Sequence, residues 1–334
     1  MILDVVGCGA VTRTYHLPVL RYLTRVRGVT VRGCYDIDPA AAAVAARFVR
    51  AHRHGGLDAF PSPEAQAVVI ATPPDSHADI ARRALNAGKH VFIEKPFVTS
   101  AADARDLLAM AGRARRRVLV GHFRRLYPSL EVVRRFLAVG GLGQIRRVDA
   151  TEGARWEWPA ATTYFLTDPH GGVLWDTGSH VLDMLLYALS WDSPGVVVRC
   201  HVQDLTRQPA AEPAHEFNAL AKMGSGEKTS IDVRLHVSRI GALAGALKFY
   251  GDNGVLILPT TFASAPSLLQ GGQRFAIDVP HLRAVPATTL GCFVQEHEEF
   301  LGACADGDPS VLDAQNFTTL IEVLTMLGAG VKSA

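Results

Sequence analysis

Three ionisable side chains in two short segments of the chain could carry out acid–base chemistry. Lys95 stands between Glu94 and a proline, directly after an apolar run that is typical of a strand. Asp176 and His180 are four residues apart, a spacing that places both on one face of a helix. Histidine titrates nearest to neutral pH and suits a general base, while a lysine ammonium stabilises negative charge on an oxygen. Together these groups fit the removal of a proton from a hydroxyl group.

Both segments also have an ordinary structural interpretation. A Lys-Pro pair is usually a turn, and an Asp and a His four residues apart can form a pair on a helix surface. Gly171 and Gly172 stand just before Asp176 and favour a close approach of the backbone to a ligand. Pro96 restricts the backbone of Lys95, which would help to hold the ammonium in place.

A glycine-rich turn follows the first apolar run of the chain. Gly7 and Gly9 come before Ala10 and Val11, which lead into a helical segment. Small residues let the backbone approach a pyrophosphate, and the N–H groups and dipole of the helix start attract its charge. Thr12 stands where the dinucleotide fingerprint has its third glycine, so the motif is imperfect. Its position at the start of a β–α series still predicts a dinucleotide site.

An acidic residue ends the second apolar run and predicts which dinucleotide is bound. An acid at the position of Asp36 accepts hydrogen bonds from the ribose hydroxyls of adenosine and repels a 2′-phosphate. This favours NAD over NADP as the cofactor. Alternatively, Asp36 only begins the turn that leads to Pro39, or Asp38 is the residue that begins this turn.

Short apolar runs and helical segments must position these residues. The predicted strands are residues 2–7, 29–35, 67–71, 90–93 and 118–121. They lack polar alternation, as parallel strands covered on both faces do. Helix starts are predicted where Ser76 and Ser100 each precede an aspartate by three residues. The fold class is α/β, and residues 1–122 form a Rossmann domain with a doubly wound parallel sheet.

The pattern changes in residues 123–334, which form a second α/β domain. Predicted strands at 144–151, 196–203, 216–223 and 230–238 are followed by helices at 296–305 and 313–327, and a further helix begins near Asp176. Apolar and polar residues alternate in the later strands, which indicates a large, mostly antiparallel open sheet. One face of such a sheet is buried, and the other is solvated or set against a partner subunit. We therefore expect a homodimer or homotetramer that forms through this sheet.

Composition excludes several classes of protein. The 334 residues are 48% hydrophobic and 20% charged, as in a folded globular protein, and the net charge of +2 argues against a nucleic-acid or membrane partner. The five cysteines are scattered along the chain, so no metal site is expected, and the cysteines are expected to be reduced thiols. No apolar stretch approaches the ~20 residues that span a bilayer. Asp4 stands where a signal peptide would be basic, so a cytoplasmic protein is expected.

Four segments in a fixed order make the chain resemble a known family. They are Gly7-x-Gly9 followed by His16-Leu-Pro18, the run Val68-Val-Ile-Ala-Thr-Pro-Pro74 with His77, Glu94-Lys95-Pro96, and Gly171-Gly172 followed by Asp176-x-Gly178-x-His180. On these residues the chain resembles the Gfo/Idh/MocA family, named for glucose–fructose oxidoreductase, inositol dehydrogenase and rhizopine catabolism. The likeness covers about residues 1–190. The chain departs from the family at His170, where a further glycine is usual.

The resemblance implies roles for individual residues. Lys95, Asp176 and His180 would be the shared catalytic set, although family members differ over which group moves the proton. The Lys95–Pro96 peptide bond is often cis in the family. The implied cofactor-binding residues are Gly7, Gly9, Ala10, Val11, Asp36, Thr72, Pro73, His77, Glu94 and Lys95.

The substrate implied by the resemblance is a sugar, cyclitol, aminosugar or sugar nucleotide with a secondary alcohol or ketone. Trp156 and Tyr164 offer flat faces that suit such rings, although they can equally be packing residues. Arg125 is a further candidate for substrate binding, with a structural ion pair as the alternative. Two other functions stay open, namely an NADP-dependent reductase of a dihydrodiol or tetrapyrrole and a non-catalytic nucleotide-binding regulator.

Overall fold

The computed structural model describes residues 1–158, 163–192, 198–208, 213–225, 230–261, 264–279 and 288–329. These residues form two compact units. The first contains Met1–His122, Trp158 and Thr289–Gln315, and the second contains the other described residues. The division expected from the sequence assigned every residue after 122 to a second domain. The structure differs, because Thr289–Gln315 returns to the first unit.

A six-stranded parallel sheet forms the centre of the first unit. Its strands are β1 (Ile2–Val6), β2 (Thr30–Tyr35), β3 (His52–Arg53), β4 (Ala67–Ile70), β5 (His90–Glu94) and β6 (Val118–Gly121). They lie in the order β3-β2-β1-β4-β5-β6, which is the doubly wound Rossmann arrangement. The strands β4 and β6 are buried along their whole length. The predicted parallel sheet is confirmed, and β3 is an additional short strand.

Helices surround this sheet. They are α1 (Leu17–Arg27), α2 (Pro39–Val49), α3 (His77–Asn86), α4 (Ala101–Ala114) and α8 (Thr289–Asp306). The helix α8 packs against α1 and brings Phe300 to Phe92 of β5, with 5.7 Å between the ring centroids. This burial explains why α8 belongs to the first unit.

Both predicted helix starts are confirmed, since α3 begins after Ser76 and α4 after Ser100, but their side-chain caps differ. The Asp103 N–H donates to the Ser100 hydroxyl at 3.1 Å, and the hydroxyl donates to the Asp103 carboxylate, so the predicted cap of α4 is confirmed. The side chain of Ser76 does not cap α3. Its hydroxyl lies 2.7 Å from Thr72 Oγ1 and 2.8 Å from the carbonyl oxygen of Pro73. That predicted cap is wrong, because the hydroxyl finds acceptors in the preceding loop.

A segment that follows α8 lies along the outer edge of β6. Val120 donates its N–H to the carbonyl oxygen of Leu312 at 2.9 Å, and Leu119 forms an antiparallel bridge with Asp313. Both carboxylate oxygens of Asp313 lie 2.7 Å from the Arg117 guanidinium. The last strand of the sheet is therefore covered where these residues meet it.

An eight-stranded sheet forms the centre of the second unit. Its strands are β7 (Ile145–Gly153), β8 (Val198–Gln208), β9 (Glu216–Ser225), β10 (Ile231–Ser238), β11 (Leu243–Gly251), β12 (Gly254–Pro259), β13 (Ser267–Gln270) and β14 (Gln273–Ala276). They lie in the order β14-β13-β12-β11-β7-β10-β9-β8, with only the β7–β10 pair parallel among these described strands. The mostly antiparallel sheet is confirmed, while β11–β14 were not predicted. Residues 196 and 197 of one predicted strand lie outside the described residues.

Helices pack against this second sheet. They are α5 (Pro128–Ala138) on β12, α7 (Ser179–Ala188) on β7 and α9 (Thr318–Ala329) on β8, while the short helix α6 (Tyr164–Thr167) contacts the turn Pro169–Gly171. All ten residues of α7 are buried. In β10, Val233 and Leu235 are buried while Arg234 is exposed, so the predicted alternation is present. Among the described helices none has the length and apolarity needed to cross a membrane.

Candidate active site

The glycine turn after β1 has a separate reason for each of its small residues. Gly7 has φ of +86°, and a Cβ there would lie 2.4 Å from the carbonyl oxygen of Ala71. A Cβ at Gly9 would meet nothing within 4 Å, so the backbone there borders open space. Thr12 is buried, and its hydroxyl donates to the Gly7 carbonyl oxygen at 2.6 Å. The departure from the glycine fingerprint thus closes the turn with a side-chain hydrogen bond. Ala10 and Val11, both half-buried, are the first two residues of the helical segment that follows.

Asp36 and Asp38 have different roles at the end of β2. Asp38 is the N-cap of α2, where its side chain accepts the Ala40 N–H at 2.9 Å. Asp36 instead accepts the N–H of Cys8, in the glycine turn, at 2.6 Å. The structure therefore assigns the helix start to Asp38 and places Asp36 beside the turn, half-exposed.

The loop after β4 is held by a buried histidine. His77 lies with Nε2 at 2.9 Å from the carbonyl oxygen of Thr72 and with Nδ1 at 3.0 Å from that of Pro96. Burial lowers the pKa of His77, while the hydrogen bonds to the carbonyl oxygens of Thr72 and Pro96 oppose this shift. This side chain joins the loops that follow β4 and β5, and it thereby positions Thr72 and Pro73. Its contacts are with the backbone of the protein.

Glu94 ends β5, Lys95 follows it directly, and the peptide bond from Lys95 to Pro96 is cis. Glu94 is buried, with Oε1 at 2.8 Å from His16 Nε2, while Oε2 accepts the Lys95 N–H at 3.1 Å. Lys95 is half-exposed. The lysine therefore stands at the carboxyl end of a parallel strand, which is where open α/β sheets bind ligands.

In the second unit, Asp176 and His180 lie on either side of a change in helix type. A π-helical turn, Leu174–Gly178, contains Asp176, and α7 begins directly after it with His180 as its second residue. The sequence predicted one regular α-helix from Asp176 to His180. That prediction is corrected, because the first part of this segment is a π-helical turn, which has more residues per turn than an α-helix. Such turns are frequent at functional sites. His180 is largely buried, with its ring 5.7 Å from that of Phe123.

An arginine that the sequence did not reveal holds Asp176 in place. Arg239 follows β10, is 3% exposed, and places Nη2 at 2.9 Å from Asp176 Oδ2. Its Nη1 donates to the carbonyl oxygens of Gly171, at 2.9 Å, and Phe165, at 3.1 Å. Its guanidinium carbon lies 4.3 Å from the centroid of the Trp156 ring. Arg239 thus joins the aspartate, the glycine loop and an aromatic side chain.

Gly171 has a structural reason to be glycine. A Cβ there would lie 2.2 Å from the carbonyl oxygen of Tyr164. The close approach expected at this glycine is therefore to the protein's own backbone. The Tyr164 ring contacts Phe165 edge-on at 5.4 Å, and the Trp156 ring lies 5.2 Å from Phe165. Both predicted aromatic residues are half-buried in this cluster.

Neighbouring arginines have different environments in the second unit. Arg124 forms a two-pronged ion pair with Glu152, at 2.6 and 2.8 Å. Burial would lower the pKa of Arg124, but the charge of Glu152, with a contribution from Asp176, holds it above its ordinary value. Arg125 is wholly buried and lies 2.6 Å from Asp183 and 2.9 Å from Asp192. Arg125 therefore forms the structural ion pair that was the alternative to substrate binding, whereas the charge of Asp176 contributes to the raised pKa of Arg124.

Comparison with protein families identifies the chain. Residues 3–122 match the model described as an oxidoreductase family with an NAD-binding Rossmann fold, and residues 130–257 match the Gfo/Idh/MocA C-terminal domain. The protein belongs to the Gfo/Idh/MocA oxidoreductase family. The resemblance inferred from the motifs is confirmed, and the protein is an NAD(P)-dependent oxidoreductase.

Two bacterial relatives differ in how much of this chain they match. The chain is 27% identical over 269 residues to an uncharacterized oxidoreductase of Synechocystis, covering 76% of this chain and 70% of the relative. It is 32% identical over 136 residues to an inositol 2-dehydrogenase of Rhizobium meliloti, covering 41% of this chain and 40% of that enzyme.

Solved structures share the whole fold. UDP-N-acetylglucosamine 3-dehydrogenase GnnA of Acidithiobacillus ferrooxidans has a TM-score of 0.75 at 22% identity, covering 100% of this chain and 98% of that one. GenD2 from gentamicin A biosynthesis, in complex with NAD, has a TM-score of 0.77 at 20% identity, covering 100% and 94%. Biliverdin reductase of Synechocystis, with biliverdin and NADP+, has a TM-score of 0.75 at 21% identity, covering 99% and 98%. The GenD2 structure thus holds NAD and the biliverdin reductase structure holds NADP+.

The residues of the first unit fit a dinucleotide. The open space at Gly9 lets a pyrophosphate approach the backbone at the start of a helical segment. Asp36 contacts the same turn from the end of β2, where an acid can accept hydrogen bonds from ribose.

Proposed function

We propose that this oxidoreductase oxidises a secondary alcohol, or reduces the matching ketone, of a sugar, cyclitol, aminosugar or sugar nucleotide, with NAD as cofactor. The observation that carries the proposal is the pairing of Asp176, which comes four residues before His180, with the buried Arg239, whose guanidinium lies over the Trp156 ring. This arrangement holds a carboxylate in one orientation, where it can accept hydrogen bonds from hydroxyl groups. NAD, when bound, accepts or supplies the hydride.

Each side chain has a proposed task. His180 takes the proton from the reacting hydroxyl group in oxidation and returns it in reduction. Lys95 donates a hydrogen bond to the reacting oxygen and stabilises its negative charge. Asp176 accepts hydrogen bonds from neighbouring hydroxyls of the substrate, while Trp156 offers an apolar face to its ring.

Charge balance near Asp176 favours a neutral, polyhydroxylated substrate. Arg239 is paired with Asp176, and Arg124 with Glu152, so the two cations already have two anions. A substrate carboxylate would compete with these protein carboxylates for the arginines. The similarity to inositol 2-dehydrogenase and to UDP-N-acetylglucosamine 3-dehydrogenase, whose names describe polyhydroxylated substrates, supports the same class. Arg125 has no place in this proposed site, because its guanidinium is wholly buried.

NAD rather than NADP is the proposed cofactor. Asp36 is half-exposed beside the glycine turn, and its negative charge would repel a 2′-phosphate. Calorimetric titration of the ligand-free protein with each dinucleotide tests this proposal. Tighter binding of NADP would contradict it.

We also propose that the protein is a cytoplasmic homodimer or homotetramer. The free cysteines suit a reducing compartment, and β10 alternates buried with exposed side chains on a sheet against which helices pack. Light scattering at micromolar concentration measures the assembly. A monomer under these conditions would contradict the proposed oligomer.

The substrate class is tested by a two-way screen. NAD reduction is followed with sugars, cyclitols, aminosugars and sugar nucleotides, and NADH oxidation with the matching ketones. Biliverdin and a cyclohexadiene dihydrodiol, each with NADP(H), form the comparison set. Turnover confined to the comparison set would overturn the proposed carbohydrate substrate.

A further inference from the structure

A group of buried ionisable residues adjoins Lys95 and has no task in the proposed chemistry. It consists of Glu94 at the end of β5, His16 in the turn before α1, and the neighbours Glu296 and His297 in α8. We call these four residues the buried tetrad. None is more than 7% exposed. Ionisable groups are costly to bury unless they are paired, so their clustering requires a reason.

Hydrogen bonds connect three members of the tetrad to the backbone of Lys95. His297 Nε2 lies 2.9 Å from His16 Nδ1, and His16 Nε2 lies 2.8 Å from Glu94 Oε1. The other carboxylate oxygen, Glu94 Oε2, accepts the Lys95 N–H at 3.1 Å. Both oxygens of Glu94 therefore accept hydrogen bonds. An ionised carboxylate can do this, because it has two acceptor oxygens and no proton to donate.

The surroundings of each group set its protonation. Burial alone would raise the pKa of Glu94, but the hydrogen bond from His16 and the charge of Lys95 hold it below its ordinary value. Burial raises the pKa of Glu296 well above its ordinary value, and the charge of Glu94 adds to this effect. Burial lowers the pKa of His297 well below its ordinary value. Glu94 is thus the ionised member, while Glu296 and His297 are neutral.

The neighbouring strand leaves space for this carboxylate. Gly121 ends β6 beside the end of β5, and a Cβ there would lie 3.1 Å from Glu94 Oε1. Any other residue at this position would press on the oxygen that His16 contacts. The register of β5 and β6 therefore favours the observed orientation of Glu94.

We propose that Glu94 is a positioning residue for Lys95, and that His16 and His297 form a hydrogen-bonded relay from α8 that keeps Glu94 ionised and oriented. The inference rests on the proposed role of Lys95 in the reaction. In this relay His297 donates to His16, and His16 donates from Nε2 to Glu94. The returning helix α8 thereby contributes to the placement of a side chain far from it in the sequence.

Two substitutions at His297 separate a relay from simple packing. The His297 ring stacks on Phe92, with 5.0 Å between centroids, so packing alone would favour leucine. The relay favours glutamine, whose amide can still donate toward His16. We expect His297→Leu to lower kcat by about tenfold or more through misplacement of Lys95, with the KM for NAD within about twofold, and His297→Gln to keep most of the activity. Full activity in His297→Leu, or greater loss in His297→Gln than in His297→Leu, would overturn the proposal.

A second readout needs neither cofactor nor turnover. Nitrogen-15 NMR of the ligand-free chain reports which imidazole nitrogen of His16 carries a proton. We expect a protonated Nε2 in the wild type, and a change in the His16 signals in Glu94→Gln, where an amide group can meet Nε2 with a donor instead of an acceptor. An unprotonated Nε2 in the wild type would refute the relay, even if the substrate class proposed above were wrong.

A matched control lies beside the same sheet. His54 follows β3 and lies 3.4 Å from Asp4 of β1, so it is another partly buried histidine beside a carboxylate, but it has no hydrogen bond to the tetrad among the described residues. We expect His54→Gln to leave kcat and the His16 signals unchanged. Changes in His54→Gln as large as those in His297→Leu would show a general effect of disturbing the core, and would overturn the specific role of the relay.

Discussion

Replacing Glu296 with glutamine removes a buried acid whose ionisation the fold opposes. Both carboxyl oxygens of Glu296 are buried, and neither has a hydrogen-bond partner among the described residues. Burial and the nearby charge of Glu94 raise the pKa of Glu296 well above its ordinary value of 4.5. The folded protein therefore retains a proton that the unfolded chain releases, over a pH window that begins near 4.5 and extends upward.

The size of the effect follows from proton linkage. Because the folded pKa is raised, the stabilisation from Glu296 is complete below the ordinary pKa and is lost as the pH rises toward the folded pKa. Within this window the loss is about 1.4 kcal/mol per pH unit. Glutamine does not titrate, so the stability of Glu296→Gln relative to the wild type should increase as the pH rises through this window, with a slope set by the loss of one proton on unfolding. A change of this kind is readily measured against a typical stability of about 5–15 kcal/mol.

Urea unfolding followed by circular dichroism measures the difference at three pH values spaced about one unit apart above the ordinary pKa of the acid. Glu298→Gln is the control, because Glu298 lies on the same helix but is half-exposed and paired with Arg27. We expect a pH-dependent difference in Glu296→Gln and almost none in the control. A difference that does not change with pH, or one that favours the wild type as the pH rises, would refute the assignment of Glu296 as a neutral acid.

Three further predictions concern the cofactor turn and the proposed catalytic residues. Asp36→Ala should weaken NAD binding about tenfold and reduce the preference over NADP, as calorimetry would show; an unchanged preference would argue against its role. Lys95→Ala and His180→Ala should each lower kcat by about a hundredfold or more while NAD still binds, and unchanged turnover in either variant would contradict its assignment. Gly7→Ala should destabilise the fold by about 2 kcal/mol or more in urea unfolding, because of its positive φ and the nearby backbone, whereas Gly9→Ala should fold normally and bind NAD more weakly. Equal stability of the two glycine variants would count against this account of the turn.

The first sheet could be predicted because its strands have a strong local pattern. Four of its six strands are runs of mainly apolar residues that end near glycine, proline or a charged residue, as parallel strands covered on both faces are. The strands β13 and β14 of the second unit have only four residues each, and β14 is exposed throughout, so they carry no comparable pattern. Local sequence also did not reveal that α8 packs against α1 and β5 of the first unit. An apolar helix face shows that it will be buried, but not against which part of the chain.

The candidate site was only partly predictable for the same reason. Lys95, Asp176 and His180 stand in short motifs that can be recognised along the chain. Arg239 lies 63 residues beyond Asp176 and follows a strand of ordinary alternation, so its role depends on the fold alone. A glycine can also mislead, since the backbone that approaches Gly171 belongs to Tyr164.

The cover over β6 has a consequence for synthesis of the protein. A ribosome completes all six strands of the first sheet almost two hundred residues before it reaches Leu312 and Asp313, which lie along the outer strand. During that interval the emerging Rossmann sheet has an edge with unpaired backbone groups, and Phe92 lacks the helix that buries it. We therefore expect the nascent chain to pass through a stage that is prone to aggregation. We infer that an isolated fragment ending at residue 122 would need a chaperone or a fused copy of residues 289–315 to stay in solution.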